Sequence, residues 1–329
     1  MKHRPFSMII GTGSAAPKKV LTNHDLEKMV DTSDQWIRER TGIERRHILE
    51  EGKSNSDLAK LAGLRALEDA GLTADELDCI IVATITPDLA FPSTATIVQA
   101  KMKAFNAAAF DISAACSGFL YGLTLADSMI ASGLYRRILV IGSEVLSRMT
   151  DWEDRSTCVL FGDAAGAAVI SASDGDRGVM STYMKSDGRL GDLLHCPGGG
   201  TSFPASHETV DQRLHFVKME GNKVFKHAVR TMVDAAVHGL RLANIASDQI
   251  DLLINHQANK RIIDAVAERL NLPNEKVFIN LNEYGNTSAA TIPLALDEAI
   301  RKGRLKTGEL CLMVAFGGGF TWASALVKI

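Results

Sequence analysis

The sequence predicts an α/β protein built from two similar halves. Two observations carry this prediction. Strand-like apolar runs alternate with segments whose apolar residues recur at helical spacing, and a helix, turn and strand pattern of the first half returns in the second. Several of the strands end in small-residue turns, where a chain bends sharply and another molecule can approach its backbone.

In chain order, "SMIIGTG", "LDCIIVATI", "RRILVIGSE" and "GAAVISA" read as strands of the first half. Ala107 to Ile112 reads as a further, buried strand, and Phe119, Leu120, Leu123, Ala126 and Ile130 place a helix after it. In the second half "IDLLIN" and "ELCLMVAF" read as strands and "HQANKRIIDAVAERL" as a helix. The repeat lies in "ALEDAGLTADELDCIIVA" against "GLRLANIASDQIDLLINH", where Leu67, Ala70, Asp75, Asp78 and Ile81 match Leu240, Ala243, Asp248, Asp251 and Ile254 at one constant offset. At nearly the same offset, Ile130 and Gly133 match Ile300 and Gly303. No low-complexity linker divides the chain, so the expected division is 1–172 and 173–329.

With 329 residues, 46% hydrophobic and 23% charged, the chain can bury a large core. The net charge of −3 argues against a global affinity for nucleic acid, and no apolar stretch is long enough to span a bilayer. Five cysteines without metal-type spacing, and an N-terminus "MKHRPFSMIIGTG" unlike a signal peptide, point to a reducing, cytoplasmic setting. Cys79 and Cys311 fall inside apolar strands and read as core filler.

Cys116 is different. It stands between the strand and helix of "AAAFDISAACSGFLYGLTLADSMIASG", so its thiol faces a helix N-terminus, whose N–H groups and dipole favour a thiolate. The repeat relates the Cys116 turn to Asn286 in "NEYGNTSAATIPLALDEAIRKG", and Ala83 to His256 at the end of "IDLLIN". A pseudo-dyad would bring the three to one central point. Near the C-terminus, Gly317, Gly318 and Gly319 of "AFGGGFTWASALVKI" let backbone N–H groups reach a ligand oxygen, as an oxyanion hole requires. Cysteine, histidine and asparagine also compose a papain-like triad, so residue types alone leave a thiol hydrolase open; the absence of a "CG[SA]C[WY]" signature and the two-copy α/β pattern argue against it. "IIGTGSAAP" matches a dinucleotide loop in its glycines only. Pro17 stands where the phosphate-binding helix should run, and no acidic residue closes a second strand, so no nicotinamide site is expected there.

Together "DISAACSGF", "HQAN", "YGNTSAA", "FGDAAGAAV" and "AFGGGFTWASALV", with "VDTSDQWIRERTGIERRH" near the start, resemble the β-ketoacyl-acyl-carrier-protein synthase III family of bacterial fatty acid synthesis. The resemblance covers the whole chain in order. It implies a thiolase fold, two halves in five layers αβαβα, and a homodimer. It implies an acyltransferase that condenses a short acyl-CoA with malonyl-acyl-carrier protein, with no metal or nicotinamide. Cys116 corresponds to the acyl-accepting nucleophile, His256 and Asn286 to the donors on the malonyl thioester oxygen, and the Cys116 and Gly318 amides to the oxyanion hole. Trp36 and Arg155 match the pair flanking the CoA adenine, and Thr32, Asn222, Asn259 and Phe225 match positions along the CoA and pantetheine tunnel. Phe91 resembles a residue that reaches the acyl pocket across the dimer interface. For the acidic carrier protein the matching basic positions are Arg40, Lys226, Arg261 and Arg269. Glu44 stands where some relatives carry a basic residue, so the patch is expected to shift toward Arg45 and Arg46.

Overall fold

A computed structural model describes residues 6–173 and 175–329. The first sheet has strands β1 (Ser7–Ala15), β2 (Cys79–Ala83), β3 (Ala108–Ile112), β4 (Arg137–Val145) and β5 (Asp163–Ala172), in the order β1-β5-β4-β2-β3. The second has β6 (Gly178–Ser186), β7 (Leu252–Asn255), β8 (Leu310–Gly317) and β9 (Thr321–Lys328), in the order β7-β8-β9-β6. In each, a parallel pair (β2 with β4, β7 with β8) is followed by an antiparallel neighbour (β5, β9). The second sheet therefore repeats the first except at its edge. Where β3 pairs with β2, β7 keeps a single parallel bridge, Leu253 to Val277.

The alternation of side chains across each strand explains why these runs are apolar throughout rather than every second residue. Cys79 and Ile81 of β2 face the middle of the molecule, while Ile80 and Val82 face outward onto α2 (Asn55–Ala70) and α3 (Thr94–Met102). Cys311, Met313 and Ala315 of β8 also face the middle, whereas Leu312, Val314 and Phe316 face α5 (Gly221–Ala243) and α6 (Lys260–Arg269), in a cluster that Ile37 of α1 (Asp34–Thr41) joins. Between the sheets lie α4 (Gly118–Ala131) and α7 (Thr291–Arg301), giving five layers αβαβα. Phe119, Leu120, Leu123, Ala126 and Ile130 of α4 are all buried there, the larger ones contributing roughly 1.5–3 kcal/mol each.

Helix α2 ends at Ala70 and α5 at Ala243, the matched alanines of the sequence repeat; each then runs through a short 3₁₀ turn into β2 or β7. One expectation needs correction. The Ala107–Ile112 segment holds a strand, Ala108–Ile112, but an edge strand whose residues stay exposed or half-buried, because no strand among the described residues pairs with its outer side. The strand expected over "SMIIGTG" is present, and no dinucleotide loop forms: β1 runs through the glycines of "IIGTGSAAP", and a Cβ at Gly13 would lie 2.4 Å from the Ala66 nitrogen, so they let α2 lie close on the sheet.

Candidate active site

Cys116 lies in the 3₁₀ turn Ala115–Ser117, immediately before α4. The matching turn, Ser288–Ala290, precedes α7. Ala115 and Ser288 stand at the same offset as Leu67 and Leu240, and both hold left-handed backbone, with φ of 46° and 49°. Non-glycine residues are strained there, and such strain persists where the surroundings fix it. The two turns abut across the central layer. Gly142 of β4 admits the second of them: a Cβ there would lie 2.2 Å from the Ala289 carbonyl oxygen. Gly317, at the end of β8, does the same for the first, since its Cβ would sit 2.6 Å from the Cys116 nitrogen.

These turns and the end of β7 border one cavity of about 660 Å³, lined by Cys116, His256, Asn286 and Gly318. The Asn286 side-chain oxygen accepts the Ser288 N–H at 2.9 Å, which leaves its NH₂ as the group free to face the cavity. Nδ1 of His256 lies 2.7 Å from the Thr291 hydroxyl, which also reaches the Ser288 carbonyl at 2.9 Å. Burial lowers the His256 pKa to about 3, so the imidazole is neutral at physiological pH. Burial also pushes the Cys116 thiol up to about 12, with the Ser288 hydroxyl opposing it. Burial therefore opposes the thiolate that the helix start favours.

Of the other expected positions, Trp36, Arg40, Asn222, Phe225, Lys226, Asn259 and Arg261 line the same cavity. Asn259 also holds two elements together, since its side chain caps α6 through the Arg261 N–H and donates to the Arg40 carbonyl. Thr32 lies outside the cavity wall, with a buried hydroxyl that finds no partner among the described residues. Arg155 rests directly on Trp36, its guanidinium carbon 4.3 Å from the ring centroid, so the two are in contact rather than held apart as a slot. Arg269 is exposed at the far end of α6, and Phe91 is 85% exposed, away from the cavity. The shift of a basic patch toward Arg46 does not occur. Arg46 is fully buried and donates to the Leu21 and Val159 carbonyls and the Asn23 side chain, while Arg45 pairs with Glu283 and Glu44 with Arg38.

Sequence reasoning missed Glu144, which is fully buried in β4 and accepts the Ser288 hydroxyl at 3.0 Å. The signal was a lone carboxylate in the apolar run "RRILVIGSEV". It also missed the apolar wall formed by Ile85, Leu146, Met149, Phe161 and Val217.

Two copies of one α/β unit that meet at a buried thiol put this molecule in the thiolase-fold class, the condensing enzymes among them. The chain matches the families described as 3-Oxoacyl-[acyl-carrier-protein (ACP)] synthase III over residues 110–188 and its C-terminal part over 240–329. It is 56% identical to Beta-ketoacyl-[acyl-carrier-protein] synthase III of Caldanaerobacter subterraneus, over 97% of each chain. It is 50% identical to the enzyme of that name from Xanthomonas campestris over 100% of both. The crystal structure of 3-oxoacyl-[acyl-carrier-protein] synthase III from Aquifex aeolicus superposes with a TM-score of 0.92 at 50% identity, covering 98% of this chain and 100% of that one. The chain belongs to the β-ketoacyl-acyl-carrier-protein synthase III family.

Proposed function

We propose that this acyltransferase condenses a short acyl-CoA with malonyl-acyl-carrier protein, releasing CoA and CO₂, and so initiates fatty acid synthesis. The observation that carries the proposal is the convergence of Cys116, His256 and Asn286 on one apolar-walled cavity. Cys116 attacks the acyl thioester, with the Cys116 and Gly318 backbone N–H groups receiving the oxyanion, and CoA leaves. Malonyl-carrier protein then enters, and its thioester oxygen accepts hydrogen bonds from the Asn286 amide and His256 Nε2. A donor at Nε2 requires the Thr291 proton to go to Nδ1 rather than to the Ser288 carbonyl, and the 2.7 Å contact allows this. Loss of CO₂ leaves an enolate held by both donors, and its carbon attacks the acyl-cysteine. The scheme calls on no metal and no nicotinamide.

Trp36 and Arg155 suit a CoA adenine once Arg155 swings off the indole, with Asn222, Phe225 and Asn259 along the path inward. Arg40, Lys226 and Arg261 at the cavity mouth, with Arg269 further along α6, suit an acidic carrier protein. The exposed edge of β3 and the exposed Phe91 support a homodimer formed across that edge. Five unpaired thiols suit a reducing cytoplasm. Incubation with acetyl-, isobutyryl- and hexanoyl-CoA, followed by mass spectrometry, should give one acyl adduct, on Cys116, and none in Cys116→Ala. With malonyl-carrier protein added, the product should be the β-ketoacyl carrier protein. Free acid and CoA alone would mean a hydrolase.

A further inference from the structure

Glu144 follows Val140 and Gly142 on the face of β4 that looks to the middle of the molecule, a carboxylate on an otherwise apolar face. It is fully buried and accepts the Thr86 hydroxyl at 2.6 Å, the Thr84 hydroxyl at 3.2 Å and the Ile85 N–H at 3.1 Å. A further donor crosses from the second half of the molecule, the Ser288 hydroxyl at 3.0 Å. Gly142, on the same face, lets the Ala289 carbonyl come against the strand. The turn Ser288–Ala290 is thus tied to β4 at two successive inward positions. From that turn Ser288 reaches both groups assigned to the malonyl thioester oxygen. Its N–H donates to Asn286 Oδ1 at 2.9 Å, which fixes which way round the amide stands. Its carbonyl oxygen lies 2.9 Å from the Thr291 hydroxyl, and that hydroxyl lies 2.7 Å from His256 Nδ1. One hydroxyl proton faces two acceptors, so the place of residue 288 governs how readily Nδ1 receives it and Nε2 carries the ring proton. Every polar group of Ser288 is therefore engaged, in a buried residue whose φ of 49° persists because its surroundings fix it.

We propose that Ser288, anchored on Glu144, is the positioning residue of the condensing step: it sets the placement of the Asn286 amide and the His256 imidazole together. The inference rests on the condensing reaction above. Asn286 and His256 come from different elements, the turn before α7 and the end of β7, and must converge on one oxygen. Ser288 is the residue that both hydrogen-bond paths share, and its hydroxyl fixes their common point to the opposite half of the molecule. Without the bond to Glu144 the left-handed turn is free to relax, and the N–H and carbonyl of residue 288 shift with it. The two donors then lose their alignment at once. Loading of Cys116 calls on neither donor, so the effect falls on the second half-reaction.

The test measures two single turnovers on the intact protein: loading of Cys116 by the acyl-CoA that the wild type accepts, and product formation when malonyl-carrier protein is added to the loaded chain. Thermal melts control for folding. Ser288→Ala keeps the Cβ, and with it the backbone demand at this position, and removes only the tie to Glu144. Condensation should be slower by about 10–10²-fold, the cost of displacing reacting groups by up to about 1 Å, while loading changes by about threefold or less. The concentration of malonyl-carrier protein that half-saturates the step should stay close to that of the wild type. Added to Asn286→Ala, the same substitution should cost less than it does alone, because part of its effect runs through Asn286; a merely loosened fold would lose the same factor in both backgrounds. Thr291→Val keeps the side-chain shape and cuts the path from Ser288 to His256, and Thr291→Ser restores the hydroxyl. Loss of condensation in the first and recovery in the second decide the question if Ser288→Ala does not fold. Condensation within about twofold of wild type, an equal fall in loading and condensation, or an undiminished loss in the Asn286→Ala background overturns the positioning role. A wild-type chain that loads Cys116 but forms no β-ketoacyl product overturns the condensing reading instead.

Discussion

Asn286 and His256 reach the cavity by different means. Asn286 has its carbonyl oxygen occupied by the Ser288 N–H and so presents donors, whereas His256 is buried, neutral and tied at Nδ1. Neither is arranged as the cation of a thiolate pair. His256→Ala and Asn286→Ala should therefore still take an acyl group on Cys116 but lose condensation by about 10²–10³-fold or more, since each removes a donor from the enolate. Single-turnover acylation and product formation measure the two stages separately. If His256→Ala loses acylation as severely as condensation, His256 is the base for the thiol, and its assignment to the malonyl oxygen changes. At this scale Cys116, His256 and Asn286 were legible because each sits at the end of an element with a local signature. Glu144, Ser288 and Thr291 were not, because their contacts join β4 and the end of β7 to the turn before α7, stretches far apart in sequence.

The elements around the site are held by close backbone contacts more than by side-chain bulk. Gly142 is the clearest case, since β4 meets the turn carrying Ala289 with no room for a methyl group. Gly142→Ala should displace that turn or the strand and cost about 1–3 kcal/mol, seen as a lower midpoint in urea. Because Asn286 and Ser288 belong to the displaced turn, condensation should fall as well. An alanine variant with unchanged stability and activity would show that the contact is slack. The sequence announced the strand through its apolar run but not this glycine's purpose, which depends on the opposite half of the molecule. The same limit applies to Arg46. In "TGIERRH" it reads as surface charge, and only the close approach of the Val159 carbonyl, more than a hundred residues away, makes it a buried donor.

The pseudo-twofold arrangement was legible over the whole molecule because helix ends and strand starts kept their spacing in both halves, down to the alanines that end α2 and α5. The one strand misread is β3, read as buried but left open on one side. It is the edge of the first sheet, and its outer face carries unpaired backbone groups beside exposed Leu89, Phe91 and Phe105. Such an edge invites pairing with another strand. A second copy meeting it through a twofold axis would extend one sheet across both subunits and cover those side chains. The Ala108 N–H bonds to the Asp78 carbonyl toward β2, so the alternating N–H of Ala109 points outward. Ala109→Pro deletes that outward donor while keeping the bonds to β2, and proline is tolerated on an edge strand. The variant should remain folded by circular dichroism yet sediment as a monomer at concentrations where the wild type is a dimer. Phe91→Ala should weaken the dimer less, because it removes apolar contact and leaves the strand pairing in place. A wild-type chain that sediments as a monomer, or an Ala109→Pro chain that stays dimeric, would place the contact on another face and leave the exposure of Phe91 without an account.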